Sequence, residues 1–528
     1  MRSPQPALHQ KLRRLLPRPF RRGEGRGEGL LGVGYPAVLS ALCAFCIHGS
    51  LAVPLLADVR LPAVLTDHMV LQQDAEVALW GWTTTAGATV EIQTSWRAKA
   101  QARSNGQGEW RVKVKTPAAQ TLNRGLHPET ITITSGNKTE LKDILIGEVW
   151  LCSGQSNMEM YGGWDTKVQP IIATICGDDS WNKGESAKAD RPGLRFIDIA
   201  NTQVLTPQSD CKGGPDTPVW TRSTAASAGH FSAAGYFFAT HLQEKLDVPV
   251  GMISADWSGT PAESWMSLEA LHALPDFANA VPALDSYIFP HTPAVLFNGM
   301  IAPLTPMTIR GVIWYQGEDN MKRPAQYATL FPALIQDWRH AFGLPAMPFY
   351  FAQIAPFTIH QPLGTLPAEL REAQEAALKL PHTGMAVNTD TSNVNEGHPR
   401  NKRAVGQRLA LQALAKTYGF KDIVADGPYF KSLKAQGTTL GVFFSGTGGG
   451  LVTRDGAAPS CFEITGADGK FVPAKAELAG EEAILSSSVV ESPVSVRFSW
   501  GAADVSNLMG KNGLPAAQFR AQLTKRTQ

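Results

Sequence analysis

The chemistry-bearing residues of this 528-residue chain are a serine just past an apolar run and a histidine some 240 positions downstream. Gly147-Glu148-Val149-Trp150-Leu151-Cys152-Ser153-Gly154-Gln155-Ser156-Asn157-Met158-Glu159 contains the end of a mainly apolar run, Ile144 to Leu151. That run reads as a strand and stops at Ser153-Gly154, where a tight turn is favoured. The turn carries Ser156 to the carboxyl end of the strand, where α/β sheets place their chemistry. A serine hydroxyl becomes a useful nucleophile when a neighbouring base removes its proton. Asn395-Glu396-Gly397-His398-Pro399 offers that base. His398 follows the last predicted sheet strand and precedes a helix predicted from Pro399. Glu396 is placed to orient the imidazole and stabilise the imidazolium, as a triad carboxylate does.

Acyl transfer from an ester also needs donors aimed at the developing oxyanion. The main-chain N–H of Ser156 is one candidate. Gly259, in Ser258-Gly259-Thr260 after a strand through Ser254, is a second. The run Trp314-Tyr315-Gln316-Gly317-Glu318-Asp319-Asn320, again after an apolar strand, supplies Gln316 as a third. Ordinary βα turns also favour Gly and Asn, so the same segments read structurally as connections. Asn157, Glu318 and Asn320 are candidates for substrate contact or loop support, and Glu263 for capping the helix after it.

These residues need a frame to hold them. From Ile144 to about Gly419, apolar runs at 193–199, 248–254, 309–315, 348–353 and 384–387 alternate with helix-like segments at 232–246, 326–342, 368–378 and 399–418. Strands alternating with helices imply a parallel sheet covered on both faces. Pro399 fits a first helical position. Before this region, 58–143 alternates in short runs with Gly81, Gly87, Asn105-Gly106 and Gly108 as punctuation, the pattern of a small antiparallel sandwich. After it, 427–528 returns to short strands, such as Val494 to Ser499. The predicted division is therefore a leader (1–57), a β-sandwich (58–143), a catalytic α/β domain (144–426) and a C-terminal β domain (427–528). Residues Tyr161 to Arg191 read as a long surface insertion near Ser156.

Charge is unevenly distributed. Residues 1–28 hold eight Lys or Arg against two Glu, and 29–57 hold no charged residue. Of 48 basic and 46 acidic residues this leaves 40 and 44 from Asp58 onward, a net −4 with no basic stripe for nucleic acid. A basic segment, an apolar core and Ala57 before Asp58 resemble a secretory signal. A retained anchor is the competing reading, since the uncharged stretch exceeds the roughly 20 residues that span a bilayer. A lipoprotein is disfavoured by Leu42 before Cys43. Cleavage implies a periplasmic or secreted protein with no stable membrane insertion. In an oxidising compartment Cys176 and Cys211 are candidates to pair. Cys152 reads as a small buried hydrophobe. No Cys or His spacing suggests a metal, and no cofactor is implied.

Taken in order, several blocks resemble the sialate O-acetylesterase family of the SGNH hydrolase superfamily. They are Gly154 to Met158, Phe231 to Phe238, Gly259 to Trp265, Asn298 to Ile301, Ile313 to Glu318, Asp337 to Arg339, and His398 to Lys402. Gly513 to Ala516 and Phe519-Arg520 extend the likeness, which spans about Val59 to Ala521. The resemblance implies a three-layer α/β/α core with a parallel sheet, flanked by an N-terminal β-sandwich and a C-terminal all-β domain. It implies Ser156 as nucleophile and His398 as base, with the Ser156 N–H, Gly259 and Gln316 around the oxyanion. Two departures stand out. The family usually has Asp where Glu396 stands, so Asp390 or a backbone carbonyl is an alternative orienting group. It also tends to have Gly where Ser258 stands. The implied substrate is an O-acetylated mono-, oligo- or polysaccharide, with sialic acid and plant hemicellulose both open. Trp164, Trp181 and Trp257 are candidates to stack on sugar rings or simply to pack. The rival reading is a carbohydrate-binding protein on an inactive hydrolase core. The sequence sets no oligomeric state.

Overall fold

The computed structural model describes residues 58–161, 184–212, 217–284, 290–358, 363–392, 394–395 and 397–523. The leader, Cys176 of the predicted pair, Trp164 and Trp181 lie outside these residues. Among the described residues no helix is long and apolar enough to cross a membrane.

One strand organises the chain. β1 (Asn137–Gly154) is half-exposed up to Asp143 and buried without a break from Ile144 onward. Its first half pairs antiparallel with Glu129–Ser135. Its second half lies between two parallel neighbours, which explains why the run is mainly apolar rather than alternating. The strand thus runs through residue 143, where the sequence changes character. Asp143 marks that point with a left-handed φ of 54°, held by Arg195 and Arg222 at 3.1 and 2.7 Å.

The central sheet continues with β2 (Arg191–Asp198), β3 (Thr221–Ser223), β4 (Val250–Asp256), β5 (Gly311–Tyr315), β6 (Phe349–Ala352) and β7 (Thr383–Ala386). Their order is β3-β2-β4-β1-β5-β6-β7. Neighbours from β2 to β7 are parallel, whereas β3 pairs antiparallel with β2 at the edge. The sheet is therefore mixed, a correction to the all-parallel expectation. Three residues are too few to show a period, so this edge strand had no legible signal.

Side-chain alternation builds the layers. Trp150, Cys152, Met252, Ile313 and Tyr315 point to a core shared with α2 (Ala233–Leu246) and α5 (Lys402–Lys416). Val149, Leu151, Ile253, Val312 and Trp314 point to the opposite core, shared with α3 (Pro324–Ala341), where Leu370 of α4 (Leu366–Glu375) also packs. The result is helices on both faces of one sheet. At Gly406 a Cβ would meet Ala234 O at 2.5 Å, so only glycine lets α5 approach α2 this closely. α5 starts at Lys402 behind Asn401, whose side chain accepts from Ala404 N. Pro399 lies in the preceding loop, not at the first helical position as expected.

Two β regions flank the sheet. Val59–Arg60, Glu76–Thr83 and Glu109–Lys115 form one antiparallel sheet. Thr89–Thr94, Lys99–Arg103 and Glu129–Ser135 form a second that continues into β1. The C-terminal strands have a core of their own, with Leu440, Phe444, Ile464, Val496 and Phe498. Arg371 of α4 reaches across to it, donating to Gln518 Oε1 at 2.6 Å and Ser499 O at 3.0 Å.

Candidate active site

Three strands end side by side. In register, Asp256 of β4 and Tyr315 of β5 both face Gly154 of β1. The turns that leave them, Gln155-Ser156, Trp257-Ser258-Gly259 and Gln316-Gly317, therefore share one edge. A Cβ at Gly154 would meet Tyr315 O at 2.1 Å, so glycine is required for this close approach. Gln155 then pins the neighbouring turn, its Oε1 accepting from Gly317 N at 3.1 Å and Asp319 N at 3.3 Å. Ser156 opens α1 (Ser156–Glu159), a single turn.

Ser156 and His398 meet: Nε2 lies 2.7 Å from Oγ across 242 residues. Burial strips water from the protonated imidazole, and the positive charge of Lys402 opposes it further, so the His398 pKa falls to about 4. At neutral pH the ring is uncharged and able to accept a proton. Glu396 lies outside the described residues. Asp390 forms a fork with Arg408, both contacts at 2.7 Å.

Asn157 is fully buried. Its Nδ2 donates to Glu318 Oε1 at 2.6 Å and to Gly397 O at 3.0 Å, and its Oδ1 accepts from Lys402 Nζ at 2.6 Å. Of the three candidates for contact or support, Asn157 and Glu318 thus face each other in a buried polar cluster. Burial raises the Glu318 carboxyl to about 7, against the pull of Asn157 and Lys402. Asn320 braces a second cluster, accepting from Ala262 N at 2.9 Å and donating to Glu263 Oε2 at 2.8 Å. Glu263 does not cap the following helix as expected. Its other oxygen takes Arg323 at 2.7 Å, while Ser267 caps α-helix Leu268–His272. The carboxylate is drawn inward because a buried asparagine and an arginine offer it charge-assisted bonds.

The oxyanion candidates differ in what already holds them. Gly259 sits at φ 63°, and the N–H groups of Ser156 and Gly259 have no acceptor among the described residues. The Gln316 amide is engaged: Nε2 donates to Asn320 Oδ1 at 2.6 Å and Thr260 O at 3.3 Å, and Oε1 accepts from Tyr327 at 2.9 Å. Ser258 uses both its N–H and hydroxyl on Glu159, a bond that a glycine there would halve. Beside this turn lies a cavity of about 330 Å³ bordered by Glu159, Asp198, Asp256, Asn201 and Lys212. Burial raises all three carboxyls, and Glu159 adds its repulsion at Asp198, which reaches about 7. Trp257 is half-buried against the core rather than displayed.

Lys402 is the residue sequence reasoning missed. It closes the His398 to Lys402 block, but a lysine in a first helical turn ordinarily reads as solvated charge. Only the block's resemblance to a family motif pointed to it.

Residues 146–415, just over half of the chain, match the family described as carbohydrate esterase, sialic acid-specific acetylesterase. The sialate O-acetylesterase of Rattus norvegicus is 32% identical over 441 residues, covering 71% of this chain and 76% of that protein. That of Homo sapiens is 32% identical over 407 residues, covering 70% and 73%. Among solved structures, a carbohydrate acetylesterase from Xanthomonas citri superposes with a TM-score of 0.77 at 33% identity, covering 88% of this chain and all of that one. With the family matched across the serine turn and the histidine helix alike, the chain belongs to the sialate O-acetylesterase family of carboxylic ester hydrolases.

Proposed function

We propose that this protein is an exported carbohydrate O-acetylesterase working by a serine–histidine mechanism. The observation that carries the reading is the 2.7 Å contact between Ser156 Oγ and a neutral His398. Ser156 attacks the acetyl carbonyl while His398 Nε2 takes the hydroxyl proton. The tetrahedral oxyanion is met by the N–H groups of Ser156 and Gly259, which have no other acceptor among the described residues. His398 returns the proton to the departing sugar oxygen, and water then releases acetate by the reverse sequence. Gln316 supports this site by holding the Thr260 and Asn320 loops in place. Export is supported by the basic and then uncharged leader.

The family match and the carbohydrate acetylesterase neighbour support an acetylated sugar as substrate, a sialoside or a hemicellulose unit. Acetate release across a panel of acetylated hemicelluloses and sialosides separates the two, and release from neither would overturn the carbohydrate reading. The mechanism is tested with Ser156→Ala. Hydrolysis of p-nitrophenyl acetate is expected to fall by about a thousandfold or more, with the unfolding midpoint nearly unchanged. Retained activity would remove Ser156 from the role. Tight binding of acetylated glycan with no acetate released by the unaltered protein would favour a binding protein on an inactive core.

A further inference from the structure

Lys402 is the first residue of α5 and is wholly buried. Both placements oppose a cation. A helix N-terminus carries partial positive charge, and an ammonium taken out of water loses its hydration. A methionine would fill the same space with neither penalty. The contacts show what the ammonium does. Nζ donates to Asn157 Oδ1 at 2.6 Å and lies 5.0 Å from the centre of the Tyr315 ring. Asn157 directly follows the nucleophile, and its Nδ2 reaches the carbonyl of Gly397, the residue before His398, at 3.0 Å. One amide thus ties the serine turn to the histidine loop. Lys402 decides which way that amide faces: with Oδ1 held by a donor, Nδ2 must point at Gly397 O and Glu318. Flipped, Oδ1 would confront two acceptors.

Resting on the serine–histidine reading above, we propose that Lys402 is a positioning residue. Its ammonium orients Asn157, which holds Ser156 and His398 at bonding distance, and its fixed charge, one amide away from the Gly397 carbonyl, opposes a resting proton on the imidazole. The direction of the His398 shift agrees, since burial and Lys402 both lower it. Glu318 is the other ionisable group bonded into this cluster among the described residues; it sits on the far side of Asn157, and its carboxyl is raised toward neutrality. When the Ser156 proton reaches His398 Nε2, this buried site holds two cations. Their repulsion favours onward transfer of the proton to the leaving oxygen.

The test is the pH profile of kcat/KM for p-nitrophenyl acetate in the full chain. In Lys402→Met, kcat at neutral pH is expected to fall about 10- to 100-fold with KM within about threefold, and the acid limb to move up by about one unit or more. Asn157→Ala keeps the charge and loses the tether, so its kcat should fall while its acid limb stays. Lys402→Gln keeps a donor for Asn157 without the charge; it should recover most of kcat and retain the shifted limb, and it decides the matter if the methionine variant does not fold. An acid limb that stays in place in the lysine variants overturns the inference. Ser156→Ala run alongside separates the two readings. Activity remaining there removes the serine mechanism itself, whereas an inactive Ser156→Ala with unmoved limbs removes only the role of Lys402.

Discussion

Lys402 and Arg371, two of the wholly buried cations, serve different parts of this protein. Lys402 lies under the serine–histidine pair and donates to a side-chain amide. Arg371 lies between α4 and the C-terminal β region and donates to a side-chain amide and a main-chain carbonyl. Each has a nearby carboxyl that burial raises despite the cation's pull, Glu318 to about 7 and Glu375 to about 8. In both places desolvation outweighs attraction, the expected result where charges are removed from water. The arginine itself is pulled down to about 10 by the same burial. The difference lies in what the donated bonds reach. Lys402 ends on the residue next to a nucleophile and so bears on reactivity. Arg371 ends on structural acceptors and bears on how the C-terminal strands dock.

The largest effect that sharpens this contrast belongs to Arg371→Ala. It leaves Gln518 Oε1 and Ser499 O without their donor in a dry interface, which costs about 3 kcal/mol of stability. Denaturant unfolding should show the loss, while kcat/KM of the folded fraction keeps its acid limb. A moved limb would mean the two cations are not separable.

A smaller effect concerns pH. Glu318 and Glu375 have folded pKa values above their unfolded ones, so their contribution is fully present below the unfolded value and lost as pH rises through about 7 and 8. His398 is depressed, so its contribution is present above its unfolded value and lost as pH falls through about 4. The unfolding midpoint should therefore be higher in mildly acidic than in alkaline buffer. Glu375→Gln should flatten the alkaline fall without changing kcat/KM, and a midpoint flat across this range would contradict the assignment of both carboxyls.

The smallest effect belongs to Ser258→Gly, which removes one of the two bonds to Glu159 and leaves the Gly259 turn its backbone. Activity is expected to change by less than about threefold, since the second bond to Glu159 remains and a single hydrogen bond contributes about 1 kcal/mol. A larger loss would place Ser258 in the oxyanion geometry itself.

Much of the site is legible in the sequence. Ser156 and His398 each follow an apolar run and a glycine, and both signals are local. Gly259 and the Gln316 run stood out for the same reason. Lys402 and the inward turn of Glu263 were not legible, because each depends on a partner 50 or more residues away. Edge strand β3 escaped because it is three residues long, and Pro399 misled because a proline suits either a loop or a helix start.

Local order along the chain, the run of strands and helices and the residue types at their ends, was set by sequence pattern, since periodicity and turn chemistry act between near neighbours. Which charges are buried, which amide faces which carbonyl and which two loops meet were decided only by folding. Those outcomes depend on desolvation and on bonds between distant segments, and neither exists until the sheet brings its strand ends together.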